Sequence, residues 1–214
     1  MISIKEMKVL VFDTETTGLP TERNASIYHT DKWPYIIQLS YIIYCTETHN
    51  MTIINDYINI PDSVKISKES QDIHKISRDT LKTGIDIETA LKKFSDYSNK
   101  TELLVGHNVS FDKRMLMVEG VRNKIRVDIS ESFCTMKNSI ELCKIEKIGR
   151  NGSKYYKYPT LSELYKKLFD IIPKNTHDAL IDNLICMRCF CKMELKTDIS
   201  EKNEKIRQLL INVN

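Results

Sequence analysis

Apolar residues recur along the chain in two patterns, one typical of strands and the other of helices. The continuous apolar run "MKVLVFD" (7–13) predicts a central strand buried on both faces. The β-branched and aromatic segments 35–45 and 51–60, joined by the short polar "TETHN", predict an antiparallel hairpin. A further strand is expected at "ELLVGHN" (102–108).

Apolar positions at helical spacing predict helices between and after these strands. Thr160, followed three residues later by Glu163, forms the pattern of a capping box. Gly120 is expected to end the helix that begins near residue 110. Helices are expected over 67–77, 86–100, 110–120, 158–169 and 177–195. Early strands and late helices around a mixed sheet indicate one α/β domain.

Length and composition fit a single globular domain with a sizeable core. The chain has 214 residues, of which 41% are hydrophobic and 29% charged. No apolar run approaches the ~18 residues of a membrane span, and the first residues lack the features of a secretory signal. We therefore expect a soluble intracellular protein with no membrane partner. A single domain is expected over residues 1–196, followed by a polar C-terminal tail at 197–214 that either docks or frays.

Six cysteines do not indicate a disulfide scaffold in a chain of this length. The segment "CMRCFC" (186–191) contains a Cys-x-x-Cys pair, a spacing that also occurs in zinc sites. No second Cys/His pair lies at finger-like spacing, and the segment follows a helical pattern. We therefore expect buried helical thiols.

Two acids, Asp13 and Glu15, stand at the end of the first predicted strand. Because side chains alternate along a strand, both point to the same face. Two carboxylates about 4 Å apart repel by roughly 4 kcal/mol in a protein-like medium, so such a pair needs a compensating cation. The alternative is a solvated strand end, since acidic residues commonly start turns.

Two later segments supply further acids. Asp112 falls in the first turn of a helix directly after a strand, where ligands gather in open α/β sheets. It is also explained as a favourable acid at a helix N-terminus, the explanation we prefer for Asp178. Asp182 follows His177 by five residues and lies beside an apolar face, where an unpaired acid would be costly.

Four acids on separate segments, with one histidine, suit a two-metal site. Hard oxygen ligands select Mg²⁺ or Mn²⁺, and two such ions can clamp the attacking and leaving oxygens of a phosphoryl displacement. His177 is then the candidate to deprotonate the attacking water. The predicted chemistry is phosphodiester hydrolysis.

Three segments resemble, in order, the motifs of the DnaQ-like exonucleases, relatives of the proofreading subunit of bacterial DNA polymerase III. They are "FDTETTGL", "GHNVSFD" and "HDALID", and the similarity covers about residues 7–195. The His-x-x-x-x-Asp spacing of the third segment is that of the DEDDh branch. The resemblance implies a ribonuclease-H-like fold, with a mixed five-stranded sheet flanked by helices. It also implies 3′→5′ exonucleolysis that releases nucleoside 5′-monophosphates.

The resemblance also implies roles for individual residues. His177 becomes the general base, and the metal ligands become Asp13, Glu15, Asp112 and Asp182. Thr16, Thr17 and Leu19 match positions near the 3′-terminal nucleotide. Asn108 matches a position that contacts this nucleotide or supports Asp112. "IHKIS" resembles the family's "IHGI" and places His74 near the substrate, although Lys75 replaces the usual glycine; a polar turn residue is the other explanation of His74.

The segment "CKIEKIGRNGSKYYKYP" (143–159) is not explained by these motifs. From 144 to 158 it holds five basic residues against one acid, a net charge of +4, interleaved with three tyrosines. It predicts a basic hairpin or loop beside the active site that binds nucleic acid through Lys154, Tyr155 and Lys157. The alternative is a solvated loop whose tyrosines pack on the body of the protein.

These patterns predict a metal-dependent 3′→5′ exonuclease acting on DNA with single-stranded or frayed 3′ ends, in replication or repair. Two alternatives stay open: an enzyme that trims RNA 3′ ends, and a nucleic-acid-binding module without catalysis. Proofreading would require a polymerase partner in trans. The sequence does not distinguish a monomer from a homodimer.

Overall fold

A mixed five-stranded sheet organises the part of the chain that the computed structural model describes, residues 7–129, 131–211 and 213. Residues 1–6 were assigned to the expected domain and lack the features of a secretory signal, and they lie outside the described part of the chain. The strand order is β3-β2-β1-β4-β5. The strands are β1 (Lys8–Thr16), β2 (Ile36–Cys45), β3 (Met51–Tyr57), β4 (Leu103–Gly106) and β5 (Ser132–Cys134). This arrangement confirms the predicted α/β fold with a ribonuclease-H-like sheet.

Strand β1 is the central strand, antiparallel to β2 and parallel to β4. It is longer than the predicted apolar run and continues as far as Thr16, so that Asp13 and Glu15 both lie within it. Strands β2 and β3 form the predicted antiparallel hairpin, and β4 pairs with β5 in parallel. The carboxyl ends of β1, β4 and β5 therefore meet at one edge of the sheet.

Helices cover the sheet on both faces. They are α1 (Lys68–His74), α2 (Arg78–Lys82), α3 (Ile87–Ser98), α4 (Val109–Asn123), α5 (Thr135–Asn138), α6 (Ile140–Cys143), α7 (Leu161–Phe169), α8 (Ala179–Phe190) and α9 (Glu204–Ile211). Short 3-10 helices occupy Thr30–Lys32 and Ile199–Glu201, and the five residues Cys191–Leu195 continue α8 as a π-helical turn. Thr160 and Glu163 form the predicted capping box of α7.

The alternation of β1 divides the core into two halves. Leu10 and Phe12 belong to the cluster that includes residues of α3 and α4, whereas Val9 and Val11 belong to the cluster formed with α7 and α8. All four are almost completely buried, as expected of a strand covered on both faces. The odd-numbered positions of β1 therefore face α8, and the even-numbered ones face α4.

Helix α4 does not end at Gly120, as the sequence predicted, but three residues later, before Lys124 with φ 57°. The glycine serves a close approach instead. The backbone N–H of Ile125 donates to the Gly120 carbonyl at 2.8 Å, and a Cβ at Gly120 would lie 2.7 Å from the Ile125 carbonyl oxygen. Only a residue without a side chain fits this return of the chain.

The cysteines of the "CMRCFC" segment are buried in α8 and at its end. Cys186, Cys189 and Cys191 are free thiols packed among apolar residues of the second core cluster. The prediction of buried helical thiols is confirmed. Among the described residues, no helix combines the length and apolar character that crossing a membrane requires.

The segment after residue 196 docks on the body of the protein. Ile199, Ile206 and Leu210 are buried in the same cluster as α7 and α8. Asp198 forms a two-pronged ion pair with the half-buried Arg188 of α8, with distances of 2.7 and 2.9 Å. Such paired, largely buried charges fix the start of the segment relative to α8.

We predict that Ile206→Ala destabilises the protein, because the side chain is fully buried. Loss of a buried isoleucine costs about 2–5 kcal/mol, equivalent to a fall in Tm of roughly 5–15 °C in a chain of this size. Ile211→Ala is the matched control, since Ile211 lies on the same helix but is 59% exposed. Urea and thermal unfolding measure both; equal stability of the two variants would show that α9 contributes nothing to the core.

Candidate active site

Three acids converge at the carboxyl end of the central strand. Asp13 and Glu15 occupy odd-numbered positions of β1 and so face α8, whose first turn carries Asp182. One carboxylate oxygen from each of the three lies within 4.8 Å of the others. Asp178 is the N-cap of α8: its carboxylate accepts from the backbone N–H groups of Leu180 and Ile181. This confirms the capping explanation for Asp178, and the bonds fix where α8 begins.

Asp112 lies beside this cluster, on the helix α4 that packs against the other face of β1. Its Oδ1 accepts from the Thr14 hydroxyl at 2.7 Å and from the Thr14 backbone N–H at 3.2 Å. Thr14 is even-numbered and therefore faces α4, the helix whose first turn carries Asp112. The structure thus brings three predicted acids together and ties the fourth to the same strand. Thr14 was not predicted; its position between Asp13 and Glu15 on the alternating strand was the available signal.

Burial makes this group of acids electrostatically unbalanced. Burial, with Asp112 and Asp182 next, raises the pKa of Asp13 well above its usual range. Burial likewise raises the pKa of Glu15 to about 8 and that of Asp112 and Asp182 to about 7 each. Within the described ranges, no lysine, arginine or histidine forms an ion pair with any of the four. Protonation of the acids or a bound cation must therefore relieve the repulsion within the cluster.

The donor set fits hard divalent cations. All the groups are carboxylates, the ligand type that Mg²⁺ and Mn²⁺ prefer over softer sites. The Oδ1 atom of Asp182 is buried and has no hydrogen-bond partner in the part of the chain that is described. A buried, unpartnered carboxylate oxygen is costly unless a ligand satisfies it. Asp13, Glu15 and Asp182 are the residues that would hold a metal ion, with Asp112 next to them.

His177 lies in the loop that leads into α8, immediately before the N-cap. The helix begins at Ala179, two residues later than predicted, and the His177 side chain is exposed. Its backbone adopts φ 73°, and its N–H donates to Asp182 Oδ2 at 3.2 Å. The histidine is therefore joined to the acid cluster through its own backbone.

A cavity of about 490 Å³ opens directly beside Glu15. Its lining includes Thr16, Leu19 and His74, three residues predicted to lie near the 3′-terminal nucleotide. Leu19 is 78% exposed and, together with Phe111, also lines a neighbouring cavity that contains Asn108. The structure thus gathers the predicted nucleotide residues next to the acids.

The two threonines shape the loop that carries Leu19. The Thr16 hydroxyl donates to the Gly18 carbonyl at 2.7 Å. Thr17 Oγ1 accepts from the Tyr35 backbone N–H at 3.0 Å, and the Thr17 N–H donates to the Tyr35 carbonyl. Both side chains therefore serve first to hold the loop in place.

His74 is buried at the end of α1 and is one of the residues that line the cavity. Its Nδ1 accepts from the Ile76 backbone N–H at 2.9 Å, so the neutral ring carries its proton on Nε2. That Nε2 is buried without a hydrogen-bond partner among the described residues, and burial lowers the pKa of the ring, keeping it neutral. Lys75 adopts φ 59°, the left-handed conformation that a glycine at this position would take without strain.

The basic segment forms the predicted hairpin, from β6 (Glu146–Ile148) and β7 (Lys154–Tyr156). The alternative, with tyrosines packed on the body, is wrong for Tyr155, which is 50% exposed, and for its two exposed tyrosine neighbours. Lys154 lies 3.3 Å from Glu146 on the hairpin itself, and Lys157 is paired with Glu163 of α7.

The fold and the carboxylate cluster define a ribonuclease-H-like α/β domain with a nuclease-type acidic site. The chain belongs to the exonuclease family RNase_T, whose family model matches residues 10–190. The predicted membership of the DEDDh-type exonucleases is confirmed.

Solved structures of nucleases share this fold. The chain is similar to the nuclease domain of 3′hExo, a DEDDh family member bound to rAMP, with a TM-score of 0.64 and 16% identity over 92% of this chain and 96% of that one. For Exonuclease X in complex with 5′ overhanging duplex DNA, the TM-score is 0.52 and the identity 22%, over 92% of this chain and 93% of that one. For E. coli Exonuclease I in complex with a dA16 oligonucleotide, the TM-score is 0.61 and the identity 17%, over 95% of this chain and 45% of that one.

These identities establish similarity of fold. The chain spans 65% of the cell-death related nuclease CRN-4, which it also resembles, and less than half of Exonuclease I. No curated protein matches the sequence.

We predict that Asp182→Asn stabilises the metal-free protein at about pH 8. The folded-state pKa values of about 7 and 8 lie above the unfolded values near 4, so the folded protein binds more protons. The contribution of these acids to the free energy of unfolding is then fully present below about pH 4 and is lost as pH rises towards 8. Removing one buried charge should raise Tm in EDTA by a few °C, roughly 2–4 °C per kcal/mol, and by little at about pH 4.

Thermal unfolding in EDTA and in Mg²⁺ tests this prediction, with Asp62→Asn at an exposed acid as the control. Mg²⁺ should stabilise the wild type more than Asp182→Asn, because a ligand that binds only the folded state raises its stability. A variant that is less stable than the wild type in EDTA at every pH would contradict the electrostatic account.

Proposed function

We propose that the protein is a metal-dependent 3′→5′ exonuclease that hydrolyses the terminal phosphodiester of nucleic acid and releases nucleoside 5′-monophosphates. The observation that carries the proposal is the cluster of Asp13, Glu15 and Asp182, which holds an unsatisfied buried oxygen and whose member Glu15 lines a cavity of about 490 Å³. Membership of the exonuclease family supports it. The similar nuclease domain of 3′hExo is bound to rAMP, which supports a mononucleotide as the product.

The residues of the chain divide the work of hydrolysis between them. Divalent ions, when bound by the acids, supply the positive charge that stabilises the attacking and leaving oxygens. His177, on the loop beside the cluster, takes the proton from the attacking water. The water oxygen forms the new bond to phosphorus as the bond to the 3′-oxygen of the penultimate nucleotide breaks, and that oxygen takes up a proton.

The terminal nucleotide is proposed to occupy the cavity beside Glu15. Leu19 offers an exposed apolar side chain for the base or sugar, and His74, which also lines the cavity, has an Nε2–H donor without a partner among the described residues. Thr16 and Thr17 hold the loop that carries Leu19. Asn108 reaches the nucleotide from the neighbouring cavity.

DNA with single-stranded or frayed 3′ ends is the proposed substrate, and RNA 3′ ends are the second candidate. The similar nuclease domain of 3′hExo is bound to rAMP, which supports the second, and the similar Exonuclease X is in complex with duplex DNA, which supports the first. Hydrolysis of matched DNA and RNA oligonucleotides, single- and double-stranded, separates the two. A proofreading role requires a polymerase in trans, and light scattering decides between monomer and homodimer.

We predict that Asp13→Asn lowers the release of mononucleotides by more than about a hundredfold, since a lost metal ligand removes several kcal/mol of charge stabilisation. The measurement follows products from a 5′-labelled oligonucleotide in Mg²⁺ or Mn²⁺. Asp62→Asn serves as the matched control. Mononucleotide release at the wild-type rate by Asp13→Asn would refute the site. A wild type that binds oligonucleotides but hydrolyses none would identify a non-catalytic binding module.

We predict that His177→Asn lowers kcat by about 10²–10⁴, the contribution typical of a general base. Asparagine tolerates the left-handed backbone of this position, and the backbone N–H that donates to Asp182 is retained. Mn²⁺ binding, followed by titration calorimetry, should therefore stay within about threefold of the wild type. Loss of Mn²⁺ binding in this variant would show that the histidine supports the metal site instead.

A further inference from the structure

The hairpin of β6 and β7, here called the arm (residues 146–156), projects into solvent with both of its faces exposed. We propose that one face of the arm, carrying Lys147 and Tyr155, binds the nucleic-acid strand upstream of the terminal nucleotide. The inference rests on the proposed function only in taking this strand to be the substrate. It identifies a strand-binding surface outside the cavity beside Glu15.

The pairing register assigns the side chains of the arm to two faces. Lys147 is opposite Tyr155, whereas Glu146 is opposite Tyr156 and Ile148 is opposite Lys154. Directly paired residues of an antiparallel hairpin share a face, and neighbouring pairs alternate. One face therefore holds Lys147 and Tyr155, and the other holds the remaining four residues.

The two faces differ in charge. On the second face Lys154 lies 3.3 Å from Glu146, so that its cation is balanced. Lys147 forms no ion pair within the described ranges, and its face carries no acid of the arm. An unbalanced cation directly beside an exposed aromatic ring is the combination that binds single strands, through phosphate contact and base stacking.

The base of the arm is anchored beside the active site. The partly buried ring of His107 lies 3.1 Å from the Pro159 carbonyl oxygen and 3.0 Å from the Thr135 hydroxyl. Because a carbonyl only accepts, Nε2 carries the proton and Nδ1 faces Thr135. His107 directly precedes Asn108, so the anchor stands at the end of β4 that leads to Asp112.

Lys157 supplies a second anchor and is reassigned from the substrate-binding role that the sequence predicted. Its ammonium contacts both carboxylate oxygens of Glu163, at 2.7 and 2.5 Å. Glu163 in turn accepts from the backbone N–H of Thr160 in the capping box of α7. Lys157 thus positions the arm on α7, and Tyr155 retains the binding role first predicted for it. Lys154 is also reassigned from that predicted role, because it lies on the opposite face and is paired with Glu146.

The test compares two double variants of the full chain. Lys147→Ala with Tyr155→Ala removes the proposed face, and Lys154→Ala with Tyr156→Ala removes the opposite face as the matched control. Fluorescence anisotropy measures binding of a 5′-labelled single-stranded DNA and of its RNA counterpart, each about 20 nucleotides long. Ca²⁺ replaces Mg²⁺, the probe is checked for intactness, and thermal unfolding confirms that both variants fold.

Loss of the Lys147 face should weaken binding about tenfold, as expected when one stacked base and one phosphate contact are lost. The slope of log K against log salt should become shallower by about one. In Mg²⁺ the same variant should show a raised KM and an unchanged kcat. The control should bind within about twofold of the wild type.

Three results would overturn the inference: wild-type affinity in the Lys147 variant, equal losses in the two variants, or an unchanged salt slope. Binding is measured without hydrolysis, so its outcome is separate from that of the proposed function. A wild type that binds through the Lys147 face but releases no mononucleotide would reject the exonuclease and keep the arm. A wild type that releases mononucleotides with no effect of either variant would do the reverse.

Discussion

The repulsion among carboxylates buried at the end of the central strand is the constraint on which the site depends. Burial and the other acids raise the pKa of Asp13, and burial raises that of Asp112 against the opposing effect of its hydrogen bonds with Thr14. Nothing in the described part of the chain supplies a compensating cation. Holding these groups together without such a cation lowers the stability of the folded protein. Divalent ions that bind the acids relieve the repulsion, and this relief adds to their affinity for the site.

The alternation of β1 determines how the acids are shared between the two halves of the core. Odd-numbered positions carry Asp13 and Glu15 to α8, and the even-numbered Thr14 turns to α4 and holds Asp112. One strand thereby connects acids contributed by two helices on opposite faces of the sheet. A shift of register by one residue would exchange the faces and separate the cluster, so the apolar residues that fix β1 also fix the site.

Much of this was predictable because periodicity and motif order are local properties. Strands β1 to β4, the capping box of Thr160 and the approach of Asp182 to Asp13 followed from spacing and resemblance, whereas β5 was not located. What the sequence missed or left open depended on contacts between distant segments. The pairing of Lys157 with Glu163, the choice between docking and fraying for the segment that holds Ile206, and the chain return that requires Gly120 each involve a partner whose position only the folded chain defines. The sequence showed that Lys75 replaces the family's usual glycine, but it did not show that Lys75 adopts a left-handed backbone conformation.

The start of α4 differs from the starts of α7 and α8 in how the residue before the helix is used. Helices α7 and α8 begin with extended residues whose side chains cap them, Thr160 and Asp178. Asn108, a residue type well suited to capping, instead adopts φ 66° and makes no capping hydrogen bond. The left-handed backbone costs about 1–2 kcal/mol for most residues and less for asparagine. Asn108 lines the cavity that Leu19 also borders. The left-handed backbone therefore lies at a cavity in which the nucleotide of the proposed function would bind.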